Sequence, residues 1–457
     1  MTLDPALKIF EQRRQAFLDD LMTFLRFQTI SSQPAHAADL RHCAEWVRGQ
    51  LAAAGLKAEI IPTQGHPAVF ADSGPVPGAA GPTLLVYGHY DVQPIGDPKL
   101  WTSPAFEPAI RDSIIYARGS ADDKGQVMAH LAAVRCLHDA GIKPPVRIKF
   151  ILEGEEEIGS PNLPDLIRAQ REKLTCDYVV LSDTSKITED TPAIAYASRG
   201  LVYKQVTLDG PSKDLHSGEY GGGVANPANI LASIIASLHD QQRRVTIPGF
   251  YDDVLPISEE ERRRLAEQNK SDKALRASTG CPAPYGEAGF DTMTRTTARP
   301  SLDVNGMMSG YTGDGSATII PTRGFAKISM RLVANQDPDK ISAAFDAAIK
   351  KACPPAVRCT VETYGTCGAY VGPTDSPGMQ AARTALAASF GKDPVLTREG
   401  GSLPILPMLK QVLGADSIML GFAHPDCNVH SPNEFFSIAD FEAGTRCVLR
   451  FLAELGQ

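Results

Sequence analysis

From Leu7 to Phe27 the apolar residues Leu7, Phe10, Phe17, Leu18, Leu21, Phe24 and Leu25 recur at helical spacing, and Leu40 to Ala54 repeats that pattern up to Gly55. Both segments are expected to be outer helices. Compact apolar runs bounded by Gly, Pro or charge then predict strands over Thr83 to Tyr87, Val146 to Leu152 and Tyr178 to Leu181, with a helix over Gln126 to Ala140. Strands that alternate with helices imply an α/β layer: a mixed, mostly parallel sheet flanked by helices. After Arg199 the texture changes. Leu201 to Leu208 and Ala326 to Val333 alternate like half-exposed strands, and Ile230, Ile234, Ile235 and Leu238 form a helical stripe. Between them, Ile247 to Pro300 is rich in Pro, Gly and charge, and Glu259 to Arg264 suits a solvated helix face. Helical patterning resumes at Met379 to Phe390, followed by an apolar run at Ser417 to Gly421 and a last helix over Ala439 to Leu455. The expected layout is one α/β domain made from residues 1–198 and 372–457, with an α+β domain of residues 199–371 inserted into it.

The composition fits this picture. Of 457 residues, 43% are hydrophobic and 21% charged, enough to bury a sizeable core and too apolar for a disordered chain. The formal net charge of −8 is the wrong sign for a protein that tracks phosphates, so no nucleic-acid partner is expected. No apolar run approaches the ~20 residues that cross a bilayer, and Met1 to Phe10 carries no signal or transit pattern. A mature start near Met1 and a cytoplasmic location are therefore expected. Nine irregularly spaced cysteines without a Cys-x-x-Cys pair argue against a disulfide framework and a structural zinc knot.

In a parallel sheet, reactive groups collect beyond the carboxyl ends of the strands. There the chain places Gly88-His89-Tyr90-Asp91, then Asp122 and Asp123 at a helix start, then Glu153-Gly-Glu155-Glu156-Glu157, then Ser182-Asp183; His430 lies near a late strand. Taken singly, His89 could be a hydrogen-bonded structural histidine, and the aspartate pair could complement a helix dipole. A run of carboxylates behind a buried strand repels itself unless cations or exposure relieve it. Together, imidazoles and carboxylates without thiolate make a set suited to zinc, manganese or cobalt. With one carboxylate shared, they suit a two-metal site with ions ~3.5–4 Å apart. The glycine-rich stretches Gly218 to Gly223 and Gly310 to Gly315 lack the Lys-Ser/Thr of a phosphate loop and are expected to be plain loops. His424, Asp426 and Cys427 are assigned structural roles, and Trp46 and Trp101 packing roles.

The strings Gly88-His-Tyr-Asp91, Gly119-Ser-Ala-Asp-Asp-Lys-Gly125, Glu156-Glu-Ile-Gly-Ser160, Ser182-Asp183 and His430-Ser-Pro-Asn-Glu434 resemble the co-catalytic di-zinc metallopeptidase family. That family includes carnosinase, the cytosolic nonspecific dipeptidase, glutamate-releasing carboxypeptidases and aminoacylase. The likeness is closest to the carnosinase and nonspecific dipeptidase branch and spans nearly the whole chain. It includes Asp214-Leu-His-Ser-Gly218 and Ser329-Met-Arg-Leu-Val333 of the inserted domain. The resemblance implies a catalytic α/β domain with an inserted lid and dimerisation domain, two divalent metal ions (zinc, or manganese or cobalt) and a small peptide substrate. It implies that Asp122 bridges both metals, that His89 and Asp183 complete one site, and that Glu157 and His430 complete the other. Asp91 would orient His89, and Glu156 would be the general base for a metal-bridging hydroxide. The residues themselves leave Asp122 and Asp123 as alternatives, while Gly159-Ser160 aligns the acidic run onto Glu156 and Glu157 despite the additional Glu155. His216 would act across a homodimer interface, accompanied by the substrate-binding Thr318 and Arg331; the Arg331 fork suits a free C-terminal carboxylate, which the amides of the Gly401-Ser402 turn could also hold. The implied activity is dipeptide hydrolysis, with an N-acyl-amino-acid amidohydrolase or carboxypeptidase as the alternative. A non-catalytic scaffold would lack ligands or base, and nothing resembles a phosphoesterase motif.

Overall fold

The computed structural model describes residues 3–76, 81–268 and 271–456, apart from the side chain of Glu267; the expected chain start at Met1 lies outside them. The chain divides into two compact units. Unit 1 comprises Met1–Tyr196, Gly372–Thr397 and Met408–Gln457, and unit 2 comprises Ala197–Val371 and Arg398–Pro407.

Unit 1 is built on a mixed sheet whose centre is parallel. Arg147–Glu153, Thr83–His89, Tyr178–Leu181 and Asp416–Gly421 run side by side in that order, all parallel. Their residues are almost entirely buried, which explains why they read as unbroken apolar runs rather than alternating ones. Antiparallel strands flank them: Ala68–Asp72 and Lys57–Ile61 on one side, Ala193–Ser198 on the other. The Lys57–Ile61 strand was not legible in the sequence because it is short and half-exposed. The helices Asp4–Leu25, Lys124–Asp139, Pro377–Phe390 and Ile438–Leu455 pack together against this layer. Lys124–Asp139 is buried around most of its circumference. Ser376 and Ser437 cap the two late helices by accepting N–H bonds from Met379 and Asp440, which starts each helix where the pattern predicts. Trp46 stacks on Phe24 and Trp101 is buried, so both serve packing.

Unit 2 holds an antiparallel sheet in the order Ser301–Ser309, Arg323–Leu332, Gly200–Asp209, Arg358–Cys367. One face is covered by the helices Pro227–Ser237 and Pro338–Ala352, which bury Leu231, Ile234, Phe345 and Ile349 against Val206, Ile328 and Met330. Part of the stretch 247–300 is more ordered than its composition suggests. It contains the helices Glu259–Glu267, Asp272–Thr279 and Thr292–Thr297, each started by a capping side chain on Ser258, Ser271 or Asp291. Gly218 likewise falls in a single helical turn, Ser217–Tyr220, where a plain loop was expected. All nine cysteines are free. Among the described residues no helix is long and apolar enough to cross a membrane.

Candidate metal centre

The carboxyl ends of the parallel strands in unit 1 carry the chemistry. Thr83–His89 ends on His89, and Tyr178–Leu181 is followed by Ser182 and Asp183. Arg147–Glu153 runs into the turn Glu156–Ile158, and Asp122 precedes the Lys124–Asp139 helix. His430, at φ 61°, lies in the loop between Asp416–Gly421 and Phe435–Ser437. His89, Asp122 and Asp183 form one group, and Asp122, Glu157 and His430 a second. In each group one ligand atom per residue lies within 4.8 Å of the others. Asp122 belongs to both. Its Oδ1 is 3.0 Å from His89 Nε2 and its Oδ2 is 3.0 Å from His430 Nε2. His89 Nε2 is 3.9 Å from Asp183 Oδ2, and His430 Nε2 is 3.3 Å from Glu157 Oε2.

The alternatives left by the sequence separate here. The Asp122–Asp123 peptide bond is cis, and the two side chains go to different surroundings. Asp123 Oδ2 accepts the His89 N–H at 3.4 Å inside the protein, where burial and the charge of Asp183 push its carboxyl well above the carboxylate range. Glu155 is also accounted for: its carboxylate accepts Asn162 Nδ2 at 2.9 and 3.0 Å and the His66 N–H at 2.9 Å, away from both groups.

The frame around the ligand groups is hydrogen-bonded to the backbone. Asp91 accepts the N–H groups of Glu156 and Glu157 on its two carboxylate oxygens, each at 3.1 Å. His89 Nδ1 lies 3.1 Å from the Asp91 carbonyl and 3.4 Å from its carboxylate. Asp91 therefore holds the ring chiefly through its backbone, and its side chain anchors the acidic turn. The supporting contacts of four further residues, Gln93, Tyr87, Ser160 and Glu434, escaped sequence reasoning. Gln93 donates from Nε2 to Glu157 Oε2 at 2.8 Å and to the Glu157 carbonyl at 3.2 Å. Tyr87 and Ser160 donate to Glu153 Oε1 at 2.6 and 2.8 Å, closing the turn that carries Glu156. Glu434, fully buried, accepts N–H bonds from Gly119, Ala121 and Asp122 and pairs with Arg118 at 2.6 Å. The partners of Glu434 lie more than 300 positions earlier in the chain, so no local pattern exposes the link. Glu434→Ala would strip three backbone donors and leave the buried Arg118 charge alone, and is expected to cost roughly 3–5 kcal/mol in urea denaturation. A loss under about 1 kcal/mol would mean that Glu434 does not hold the Asp122 turn.

The electrostatics favour a cation. Hydrogen bonds to Asp122 and Glu157 push His430 up to about 10. Burial works against charge on Asp122, but the His430 hydrogen bond and the His89 imidazole 3.0 Å away hold its carboxyl below the usual range. Burial pushes Asp183 up to about 7, with Asp122 adding to the effect. It pushes Glu156 up to about 9; His89 opposes this, and Asp183, Glu157 and Asp122 add to it. Four acids crowd two imidazoles, and protons stand where larger positive charge would be better placed. The fully buried His89 Nε2 is off the line needed for a hydrogen bond to Asp122 and has no such partner among the described residues. An imidazole nitrogen left free between carboxylates fits a divalent ion, and no thiol belongs to either group.

The remaining residues named by the sequence lie in unit 2. The Leu215–His216 strand pairs with Ile319–Ile320, and the Ser217 N–H meets the Thr318 carbonyl at 2.9 Å, which brings His216 and Thr318 side by side at the surface. Arg331 Nη1 donates to Ser402 Oγ at 2.7 Å, and Ser402 Oγ donates to the Gly200 carbonyl at 3.0 Å. Gly401 accepts the Arg199 N–H through its carbonyl at 3.0 Å. His424 Nδ1 accepts the Asp426 N–H at 3.0 Å, a local structural bond.

A parallel sheet with paired imidazole–carboxylate groups beyond its strand ends defines a metal-dependent hydrolase. The sequence model of peptidase family M20/M25/M40 matches residues 85–454. The chain is 32% identical to the Cys-Gly metallodipeptidase DUG1 of Saccharomyces cerevisiae, over 81% of this chain and 78% of that protein. It is 28% identical to the Beta-Ala-His dipeptidase of Homo sapiens, over 86% of this chain and 78% of that one. Among solved structures, an M20 family metallo-carboxypeptidase of Sulfolobus solfataricus superposes with a TM-score of 0.86 at 32% identity, covering 96% of this chain and 99% of that one. The chain belongs to peptidase family M20/M25/M40 and is a metal-dependent peptidase. The expected family and fold class are thus borne out.

Proposed function

We propose that the chain is a dipeptidase that holds two divalent ions, most suitably zinc, and cleaves short peptides with a free C-terminal carboxylate. The observation that carries this reading is the Asp122 carboxylate, 3.0 Å from the Nε2 atom of both His89 and His430. In this reading His89, Asp122 and Asp183 hold one ion and Asp122, Glu157 and His430 the other. Manganese and cobalt share the ligand preference. When bound, such ions polarise the scissile carbonyl and make water a better nucleophile near neutral pH. Glu156 belongs to neither ligand group. It takes the proton from the attacking water and hands it to the leaving amine. Asp91 keeps Glu156 and Glu157 in register by holding their N–H groups, and keeps the His89 ring oriented. Arg331, steadied by Ser402, offers a planar fork to the substrate carboxylate, with the Gly401–Ser402 turn beside it.

His216 and Thr318 act in the partner subunit of a homodimer, with His216 donating to the oxyanion. The exposed Met307, Met308 and Tyr364 on the two edge strands of unit 2 support such an interface. The reduced cysteines agree with a cytoplasmic enzyme. The relatives named for Cys-Gly and Beta-Ala-His cleavage favour dipeptides. The metallo-carboxypeptidase likeness favours a second reading, carboxypeptidase or N-acyl-amino-acid amidohydrolase action at the same site. A panel of free dipeptides against N-acetylated and N-succinylated amino acids and longer peptides, run after zinc, manganese or cobalt loading, is expected to show turnover of free dipeptides above the rest. Preference for blocked or longer substrates would replace the first reading by the second.

A further inference from the structure

Unit 2 contains a concave cavity of about 340 Å³ lined with guanidinium groups. Arg199, Arg243 and Arg295 face it, and none of them forms an ion pair among the described residues. Arg199 Nε donates to the Gly400 carbonyl at 2.8 Å, and its Nη1 reaches the Arg299 carbonyl and Ser301 Oγ only at 3.4 and 3.5 Å. Arg295 Nε donates to the Glu287 carbonyl at 2.8 Å, and Arg243 stacks 4.5 Å from the Tyr285 ring centre. The acids of the lining are fewer than its cations. Glu287 is held by Arg299 in a two-pronged pair with both contacts at 2.8 Å, and Asp303, exposed beside Ser301, acts on Arg199 through its charge without forming an ion pair. An excess of positive charge in a recess is stabilised by any anion that enters.

The loop that presents Arg243 is preformed. The Asp240 carboxylate accepts the Gln242 and Arg244 N–H groups at 2.8 and 2.9 Å, and Arg243 itself sits at φ 64°, a conformation that L side chains avoid. Arg331 neighbours this lining on the sheet. Ser301, one of the lining residues, is the direct antiparallel partner of Arg331, so the two side chains share a face of the sheet. Burial together with the Arg331 charge brings the Arg199 guanidinium down to about 10, although Asp303 opposes the shift.

We propose that this cavity is the side-chain subsite for the residue whose main-chain carboxylate Arg331 holds, and that it selects an acidic side chain, so that peptides ending in aspartate or glutamate are preferred. This rests on the role given to Arg331 above. A second carboxylate, set one side chain away from the first, meets the guanidinium donors with charge and two acceptor oxygens, whereas an amide offers one neutral acceptor oxygen and an alkyl side chain none.

The test is kcat/KM for Ala-Glu, Ala-Gln and Ala-Leu with the metal-loaded protein and its R243Q and R295Q variants. Ala-Glu is expected to exceed Ala-Gln by about tenfold or more. In both variants that ratio should fall toward one, through a raised KM for Ala-Glu. R243Q changes an exposed loop residue, so it keeps the test open should R295Q fail to fold. A wild-type ratio at or below one, or a ratio unchanged in both variants, overturns the subsite while leaving dipeptide hydrolysis intact. Should no dipeptide be hydrolysed, the peptidase reading above fails separately, and calorimetry with glutarate decides the cavity. Binding weakened in R243Q supports it, and no binding to the wild type overturns it.

Discussion

Glu156→Gln is expected to lower kcat by roughly 10²- to 10⁴-fold while KM stays within a few-fold, the range that a positioned proton-transfer group contributes. The substitution keeps the size of the side chain and removes only its ability to carry a proton. It leaves both ligand groups untouched, since neither contains Glu156. It also leaves the backbone N–H of this residue bonded to Asp91. Folding and metal content should therefore match the wild type, which separates this variant from a general disruption of the site. Burial and three neighbouring carboxylates raise the proton affinity of Glu156, with His89 opposing them. Positive charge placed among these carboxylates would lower that affinity and suit Glu156 to the proton-accepting role proposed for it. The measurement is steady-state hydrolysis of a free dipeptide beside metal analysis of the same preparation. Turnover within tenfold of the wild type, at equal metal content, would remove Glu156 from the mechanism.

Asp122→Asn is expected to have the other large effect, and to act on both ligand groups at once. Replacing one carboxylate oxygen by an amide removes the charge that His89 and His430 both face at 3.0 Å. Loss of residues that merely orient a metal ligand costs 10- to 100-fold in affinity. A ligand shared by two ions should cost more than about 100-fold, with activity falling in step. His430→Asn, which touches one group only, should weaken one of two binding events and spare the other. Metal titration followed by calorimetry distinguishes these outcomes. Thermal stability gives an independent readout, because an ion present at ~100 times its dissociation constant stabilises the fold by about 2.7 kcal/mol. That increment should appear on metal addition to the wild type and be absent from Asp122→Asn. Two ions bound by the variant with unaltered affinity would rule out a bridging carboxylate.

Which parts of the molecule are legible before folding follows from where the information lies. The strands Thr83–His89 and Tyr178–Leu181 are buried on both faces, so the solvent exclusion that stabilises them is written directly as apolar runs. The helices around them carry the same record as 3.6-residue periodicity, started by caps such as Ser437 and ended by residues such as Gly391 in the left-handed conformation. The Lys57–Ile61 strand and the helix Asp272–Thr279 bury less, and the buried helix Thr292–Thr297 is short and mostly threonine, so all three left weaker traces. At the candidate site, residue types at strand ends announce metal chemistry, because imidazoles and carboxylates are costly to gather there without a cation.

The sequence by itself therefore determined the α/β architecture, the family, and the short set of residues from which a metal centre can be assembled. Only the tertiary structure decided that Asp122 rather than Asp123 stands between His89 and His430, since adjacent residues of one type differ only in the direction the folded backbone gives them. It also decided that Gln93 holds Glu157, that Glu434 holds the Asp122 turn, and that Arg199, Arg243 and Arg295 line one recess of unit 2. These are contacts between residues tens to hundreds of positions apart. Their energies depend on distance and direction in space, and neither exists along a chain until it folds.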